Sequence, residues 1–254
     1  MSAARFVPAW SAADAVGPVV VVDVLRAFTT AAYAFGAGAR RIWLVRSVDE
    51  ALAMKAGRPG TLAMGEDLGL RIPGFDFSNS PAEVAAADLT GRDLVQRTSA
   101  GTRGVVAASS ATRRWCASLV CASATAAAVN ASGLGDPTYV ITGWRDDQHP
   151  GDDDQQTALL VERVRIGEPV RAEETARAVA GSREAAVTLG LGPGHVDPRA
   201  SSWRPASTPS ASPWRPAEGP TDWSSPPARD EPAGAAPAQF GGPIRVGGRA
   251  WSAC

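Results

Sequence analysis

The sequence predicts an α/β protein: a three-layer α/β/α core with a largely mixed sheet, followed by a disordered tail rich in Pro, Trp and Ser. Three observations carry this reading. Short apolar runs alternate with helix-like stretches, the loops between them are brief, and the alternation stops near residue 197. Residues 1–196 are therefore read as one α/β domain and 197–254 as a separate tail.

Residues 19–24 form an apolar run interrupted only by Asp23, as expected of a strand buried on both faces. Residues 27–37 suit a helix closed by Gly36 and Gly38. Residues 42–45 read as a second strand. Ser47 with Glu50 three positions on predicts a capping box opening a helix that runs to Gly57. Further strands are expected at 61–64, 94–96, 118–121 and 139–142. Helices are expected at about 103–109, 124–131, 153–166 and 172–181, and Ser80-Pro81 followed by Glu83 marks another helix start. Beyond residue 197 lie 11 of the 20 prolines, and Phe240, Ile244 and Val246 are the only Ile, Leu, Val or Phe there. Such a segment has little to bury.

Lys+Arg total 25 against Asp+Glu 26, a net charge of -1, which implies no attraction to nucleic acid or anionic membrane. The longest apolar run is a strand's worth, and no secretory signal precedes it, so a cytoplasmic protein is expected. Cys116, Cys121 and Cys254 form neither a disulfide framework nor a zinc motif, and the first two read as small buried residues.

In α/β folds ligands bind beyond the carboxyl ends of strands, and four segments fall there. Asp23 ends the first long strand, with Arg26, Thr29 and Thr30 at the opening of the next helix, where a phosphate is favoured. Asp23 as a helix cap with Arg26 as its ion-pair partner fits equally well. Glu66 follows another strand, before a long loop that carries Asp76 and Asn79. Arg97-Thr98-Ser99-Ala100-Gly101-Thr102-Arg103 has the hydroxyls and glycine of an anion-binding turn, but not the lysine or spacing of a nucleotide P-loop. Asp152, Asp153 and Asp154 mark either a solvated helix start or a hard-cation site built from oxygens alone. His149 and His195, the only histidines, lie in loops without evident partners, so a Ser-His-Asp relay has little support. The lack of a second aspartate two residues after Asp23 weakens a phosphoaspartate mechanism of the haloacid-dehalogenase type, and no GxGxxG follows a strand.

The order of these segments resembles the 2-phosphosulfolactate phosphatases over about residues 18–196: Val22-Asp23-Val24-Leu25-Arg26-Ala27 with Thr29-Thr30, Gly65-Glu66, Gly74-Phe75-Asp76 with Asn79-Ser80-Pro81, Thr98-Ser99 with Gly101-Thr102, Ala122-Ser123-Ala124-Thr125-Ala126, and Gly151-Asp152 with Asp154. The resemblance implies an α/β/α fold, Mg2+ as cofactor and hydrolysis of 2-phospho-3-sulfolactate in coenzyme M synthesis. It implies a small phosphoester as partner, with neither nucleic acid nor membrane, and is compatible with a homo-oligomer. By the same resemblance, Asp23 and Arg26 are expected to be catalytic. Thr29, Thr30, Asp76, Asn79, Thr98, Ser99, Gly101 and Thr102 are expected to bind substrate, and Asp23, Glu66, Asp152 and Asp154 to bind the metal. Ala100 and Cys121 stand where the family carries Asn, which points toward an altered substrate. The strand-rich ending of the family is also missing, and a shift of reading frame shortly before residue 202 would restore a similar one.

Overall fold

The computed structural model describes residues 4–192 and 244–247. Valine is stiff at Cβ and favours the pleated backbone. The valine run accordingly forms β2 (Gly17–Val22), with Val19 to Val22 fully buried. It lies between β7 (Ala111–Ala117) and β8 (Thr138–Ile141), and β8 pairs on its far side with β1 (Arg5–Pro8). All pairings in this four-stranded sheet, in the order β1-β8-β2-β7, are parallel.

A second sheet contains β3 (Arg41–Leu44), β4 (Leu62–Gly65), β5 (Phe77–Ser78) and β6 (Asp93–Arg97) in parallel. Residues Ile244–Gly247 add an antiparallel edge strand on β3, giving five strands. The expected α/β class and flanking helices are observed, with strands divided between two sheets and almost wholly parallel. The rest of the proposed tail, and the boundary at residue 197, lie outside the described residues. Among the described residues no helix is long and apolar enough to cross a membrane.

The second sheet shows why its strands alternate in what they bury. Ile42, Leu44, Met64 and Leu94 belong to the main core, which also takes in the valines of β2. Their chain neighbours Trp43, Val45, Ala63 and Val95 face a smaller core with Ala51, Ile72 and Phe75. Successive side chains in a strand point to opposite faces, so each strand serves two layers.

Helices α1 (Ala27–Gly36) and α2 (Val48–Gly57) follow β2 and β3. Ser47 and Glu50 form the expected capping box, with Ser47 Oγ accepting the Glu50 N–H at 3.1 Å and Glu50 accepting the Ser47 N–H at 3.0 Å. Ser80 caps the short α3 (Pro81–Ala85), and α4 (Gly101–Ala107) follows β6. The strand expected at 118–121 is instead a 3-10 turn, Leu119–Cys121, in which Cys121 Sγ accepts the Ser118 N–H at 3.3 Å. The strand comes earlier, at β7. Next come α5 (Ala122–Ser132), a hairpin of β9 (Trp144–Asp146) and β10 (His149–Pro150), α6 (Asp152–Arg165), α7 (Ala172–Ala180) and α8 (Arg183–Gly190). Cys116 and Cys121 are free and buried, as expected.

Candidate active site

Parallel strands deliver their carboxyl ends to one side, and the residues just past those ends meet there. Asp23 follows β2, Arg46 lies beyond β3, Glu66 follows β4, Ser99 lies two residues past β6 and Thr142 follows β8. All five line one cleft of about 700 Å3, together with Arg26, Asn79, Arg103 and Arg145. Trp10, Val187 and Leu191 form part of its apolar wall, and Trp10 packs edge-on to Trp144 at 6.3 Å between ring centroids.

Asp23 is buried at the cleft floor. Its Oδ1 accepts the Ala27 N–H at 2.9 Å, which caps α1. Burial pushes its carboxyl up to about 6, opposed by the Ala27 and Gly101 N–H groups and reinforced by the charge of Glu66. The helix behind it approaches so closely that a Cβ on Gly101 would stand 2.6 Å from Asp23 Oδ2 and 2.8 Å from the Ala27 Cβ. Gly101 therefore admits the carboxylate rather than contacting a substrate itself.

Glu66 is fixed on both oxygens. Oε1 accepts the Ser99 N–H, and Oε2 accepts the Gly69 N–H at 2.6 Å and the Ser99 hydroxyl at 3.1 Å. Arg26 is buried near both carboxylates. Burial lowers its pKa, while Glu66 and Asp23 act the other way. Its Nη2 also reaches the Gly69 carbonyl at 3.4 Å.

Asp154 sits behind the floor and braces it. Oδ1 accepts the Val24 N–H at 2.8 Å, while Oδ2 accepts the Gly143 N–H at 2.8 Å and the Thr142 hydroxyl at 3.1 Å. One carboxylate thereby joins the ends of β2 and β8 to the start of α6. Asp153 is the unassigned residue of this group: it is 3% exposed, and its Oδ1 has no hydrogen-bond partner. Burial raises its pKa to about 7, with the charge of Asp23 adding to the effect. Burial and then the charges of Asp153 and Asp23 lift Asp154 well above the usual carboxylate range.

Several expected site residues have other placements. Asp76 accepts the Ala63 N–H at 2.7 Å and pairs with Lys55 at 2.8 Å, and it does not line the cleft. Asp152 accepts the N–H groups of Asp153 and Arg183, each at 3.1 Å, so it links α6 to α8. Thr98 and Thr102 satisfy one another: the Thr98 N–H donates to Thr102 Oγ1 at 2.8 Å, and the Thr102 N–H donates to Thr98 Oγ1 at 3.0 Å. With the Ser99 N–H given to Glu66 and that of Gly101 to Asp23, the turn has spent the donors expected to cradle a phosphate. The Thr29 hydroxyl donates to the Val24 carbonyl at 2.7 Å, and Thr30 Oγ1 is buried without a partner. Asn79 does line the cleft, with an unpartnered buried Oδ1. Ala100 lines it as well, whereas Cys121 caps the turn after β7. His149 has a partner after all: its Nδ1 lies 2.8 Å from Asp146 Oδ1.

The arginines were invisible as a group in the sequence because they come from four separate segments. Strand topology alone gathers them. The donor chemistry near Asp23 is all oxygen, as suits a hard cation. Among the described residues no three His, Cys, Asp or Glu side chains form a cage for one ion.

A family model described as 2-phosphosulpholactate phosphatase matches residues 7–186. A probable 2-phosphosulfolactate phosphatase of Bacillus subtilis (strain 168) is 36% identical over 165 residues, covering 64% of this chain and 71% of the relative. Proteins of the same description from Deinococcus radiodurans and Carboxydothermus hydrogenoformans are 46% and 43% identical over 83 and 108 residues. Those matches cover 33% and 42% of this chain, and 35% and 44% of the two relatives.

Proposed function

Because the chain belongs to the 2-phosphosulfolactate phosphatase family, which makes it a phosphoric monoester hydrolase, we propose that it hydrolyses 2-phospho-3-sulfolactate to 3-sulfolactate and phosphate with the help of Mg2+. The observation that carries the proposal is the meeting of Asp23 and Glu66 with Arg26 in one cleft at the strand ends. In the pathway that the family resemblance implies, coenzyme M synthesis, 3-sulfolactate is the product passed on.

The residues present suit Mg2+. This ion usually keeps several waters and binds one or two carboxylates plus a substrate phosphate, so a full protein cage is not required. Asp23 and Glu66 would hold it, and a cation there would favour loss of the proton that burial keeps on Asp153 behind them. Asp152 and Asp154 are better explained as braces. Bound there, Mg2+ would supply a Lewis acid that polarises a phosphoryl oxygen.

The chain's own groups account for the rest. Arg26 is buried beside the charges of Glu66 and Asp23, so its guanidinium is set to hold phosphoryl oxygens as charge moves to the leaving group. Leu25 and Leu68 add apolar surface to the cleft lining. Burial alone raises the Asp23 carboxyl to about 6, and a bound Mg2+ would draw it back down, so Asp23 would serve as an ionised acceptor that orients the attacking water.

The test is phosphate release from 2-phospho-3-sulfolactate by the full chain, with Mg2+ or with EDTA. EDTA should abolish release, and Arg26→Ala should lower kcat on the order of 10²–10³-fold. Release that persists in EDTA would remove the metal from the proposal. A second phosphoester substrate is favoured by Ala100, which leaves a polar position of the cleft wall empty. Faster turnover of another ester in a phosphoester panel would select that reading.

A further inference from the structure

We propose that Arg46 and Arg103 form a second anion subsite in the cleft, which grips an acidic group on the carbon skeleton of the substrate, apart from its phosphate. This assignment rests on the phosphatase reading of Asp23, Glu66 and Arg26. It assigns two further side chains of the same cavity.

Both arginines line the cleft, yet they come from unrelated places: Arg46 from the loop after β3, Arg103 from the first turn of α4. Among the described residues, neither guanidinium has an ion-pair or hydrogen-bond partner. The other two cleft arginines are already engaged. Arg26 lies buried among the carboxylates, and Arg145 reaches Glu184 at 3.3 Å. The cleft carboxylates do not answer Arg46 or Arg103 either. Glu66 hydrogen bonds to Ser99 and Gly69, and Asp23 to Ala27 and Gly101, and neither carboxylate is paired with these two arginines.

The charge balance points the same way. With Arg145 answered by Glu184, Arg26, Arg46 and Arg103 against Asp23 and Glu66 leave the lining with one net positive charge, in a chain whose net charge is -1. A concave surface of one sign concentrates ligands of the other. Size agrees as well. A phosphoryl group fills only on the order of 100 Å3, taking ~30 Å3 for each water-sized oxygen, and the cleft offers about 700 Å3. A guanidinium matches planar or tetrahedral oxyanions through paired N–H donors, so the fitting groups are a sulfonate or a carboxylate. The ligand class is thus a small phosphoester that carries a further strong acid.

The experiment compares the full-length protein with Arg46→Ala and Arg103→Ala on three esters: 2-phospho-3-sulfolactate, 2-phosphoglycerate and glycerol 2-phosphate. Glycerol 2-phosphate has no second acid. Each substitution should raise KM for the acid-bearing esters on the order of 10- to 100-fold. The preference over glycerol 2-phosphate should fall by the same factor, with kcat less affected. A larger loss with 2-phospho-3-sulfolactate than with 2-phosphoglycerate would identify the sulfonate as the gripped group. Equal losses on these two would identify the carboxylate. Loss of the same size on all three esters would overturn the subsite, because the arginines would then be serving the phosphate, and unchanged selectivity would overturn it too.

Calorimetric titration with 3-sulfolactate, which has no phosphate, separates this proposal from its premise. Binding by the wild type that weakens in both variants supports the subsite even if no ester is hydrolysed. Hydrolysis with unchanged 3-sulfolactate binding in the variants leaves the phosphatase standing and removes the subsite. No binding and no hydrolysis by the wild type would overturn both.

Discussion

Asp153 is a carboxylate kept from water, with one oxygen that nothing answers. Its raised pKa makes a statement about stability. In the folded chain it holds its proton up to about pH 7, while in the unfolded chain it releases it near the ordinary value of 3.8. The folded state therefore binds more protons between those limits, so stability falls as pH climbs through that window. Asp153→Asn removes the charge while nearly keeping the shape. In EDTA at pH 8 this variant should be more stable than the wild type, by on the order of a few kcal/mol, with the difference shrinking toward pH 4. Urea denaturation across that pH range checks it. Equal pH slopes in the two proteins would mean that the carboxyl is better satisfied than its geometry suggests. Nothing in the sequence separated Asp153 from its neighbours. Three adjacent aspartates look alike until a helix fixes which one faces the core, which braces the strands and which turns toward α8.

At the scale of elements, Asp154 carries more of the architecture than the chemistry. It answers two backbone N–H groups and a hydroxyl from two strand ends. Asp154→Ala leaves those buried donors unsatisfied, at about 1–3 kcal/mol each. A loss on the order of 3–5 kcal/mol is expected in equilibrium unfolding, equal with and without Mg2+. A loss that appears only with Mg2+ would return Asp154 to the metal site. The same scale shows what the sequence could tell. The valine run, the Ser47–Glu50 capping box and the alternation of strands and helices were legible because each is a local signal. β7 was not: it lies at the edge of its sheet, where Arg113 and Arg114 interrupt the apolar pattern. The apolar run just after it was mistaken for the strand, although Ser118 and Cys121 bend it into a turn. The anion-binding turn misled for a related reason. Its hydroxyls and N–H groups do converge, but on one another and on Glu66 and Asp23, and such pairing depends on distant segments.

For the molecule as a whole, the two sheets share one core. Val19 to Val22 of the first and Ile42, Leu44, Met64 and Leu94 of the second belong to a single buried cluster. Separating the sheets would expose it, and burial of that kind is what makes unfolding cooperative. Thermal melts followed by far-UV and near-UV circular dichroism should therefore coincide in one transition. Two resolved transitions would show that the sheets are energetically independent. The shared core also explains why the cleft was only half visible in the sequence. Asp23, Glu66 and Asn79 could be singled out from their motifs. Arg46, Arg103 and the α8 wall could be placed only once the sheets had fixed where each strand ends.

The order of strands in the first sheet has a consequence for synthesis. β1 and β2 leave the ribosome close together, yet they are not neighbours in the sheet, because β8 lies between them. At ordinary rates of translation the interval from Val22 to Thr138 lasts on the order of ten seconds. Throughout that time the two strands have a gap where their shared partner belongs, and until β7 is made the four valines of β2 have both flanks open. A nascent chain therefore presents an extended apolar segment for that interval, and the last strand of this sheet to arrive is the one that leads to Thr142 in the cleft.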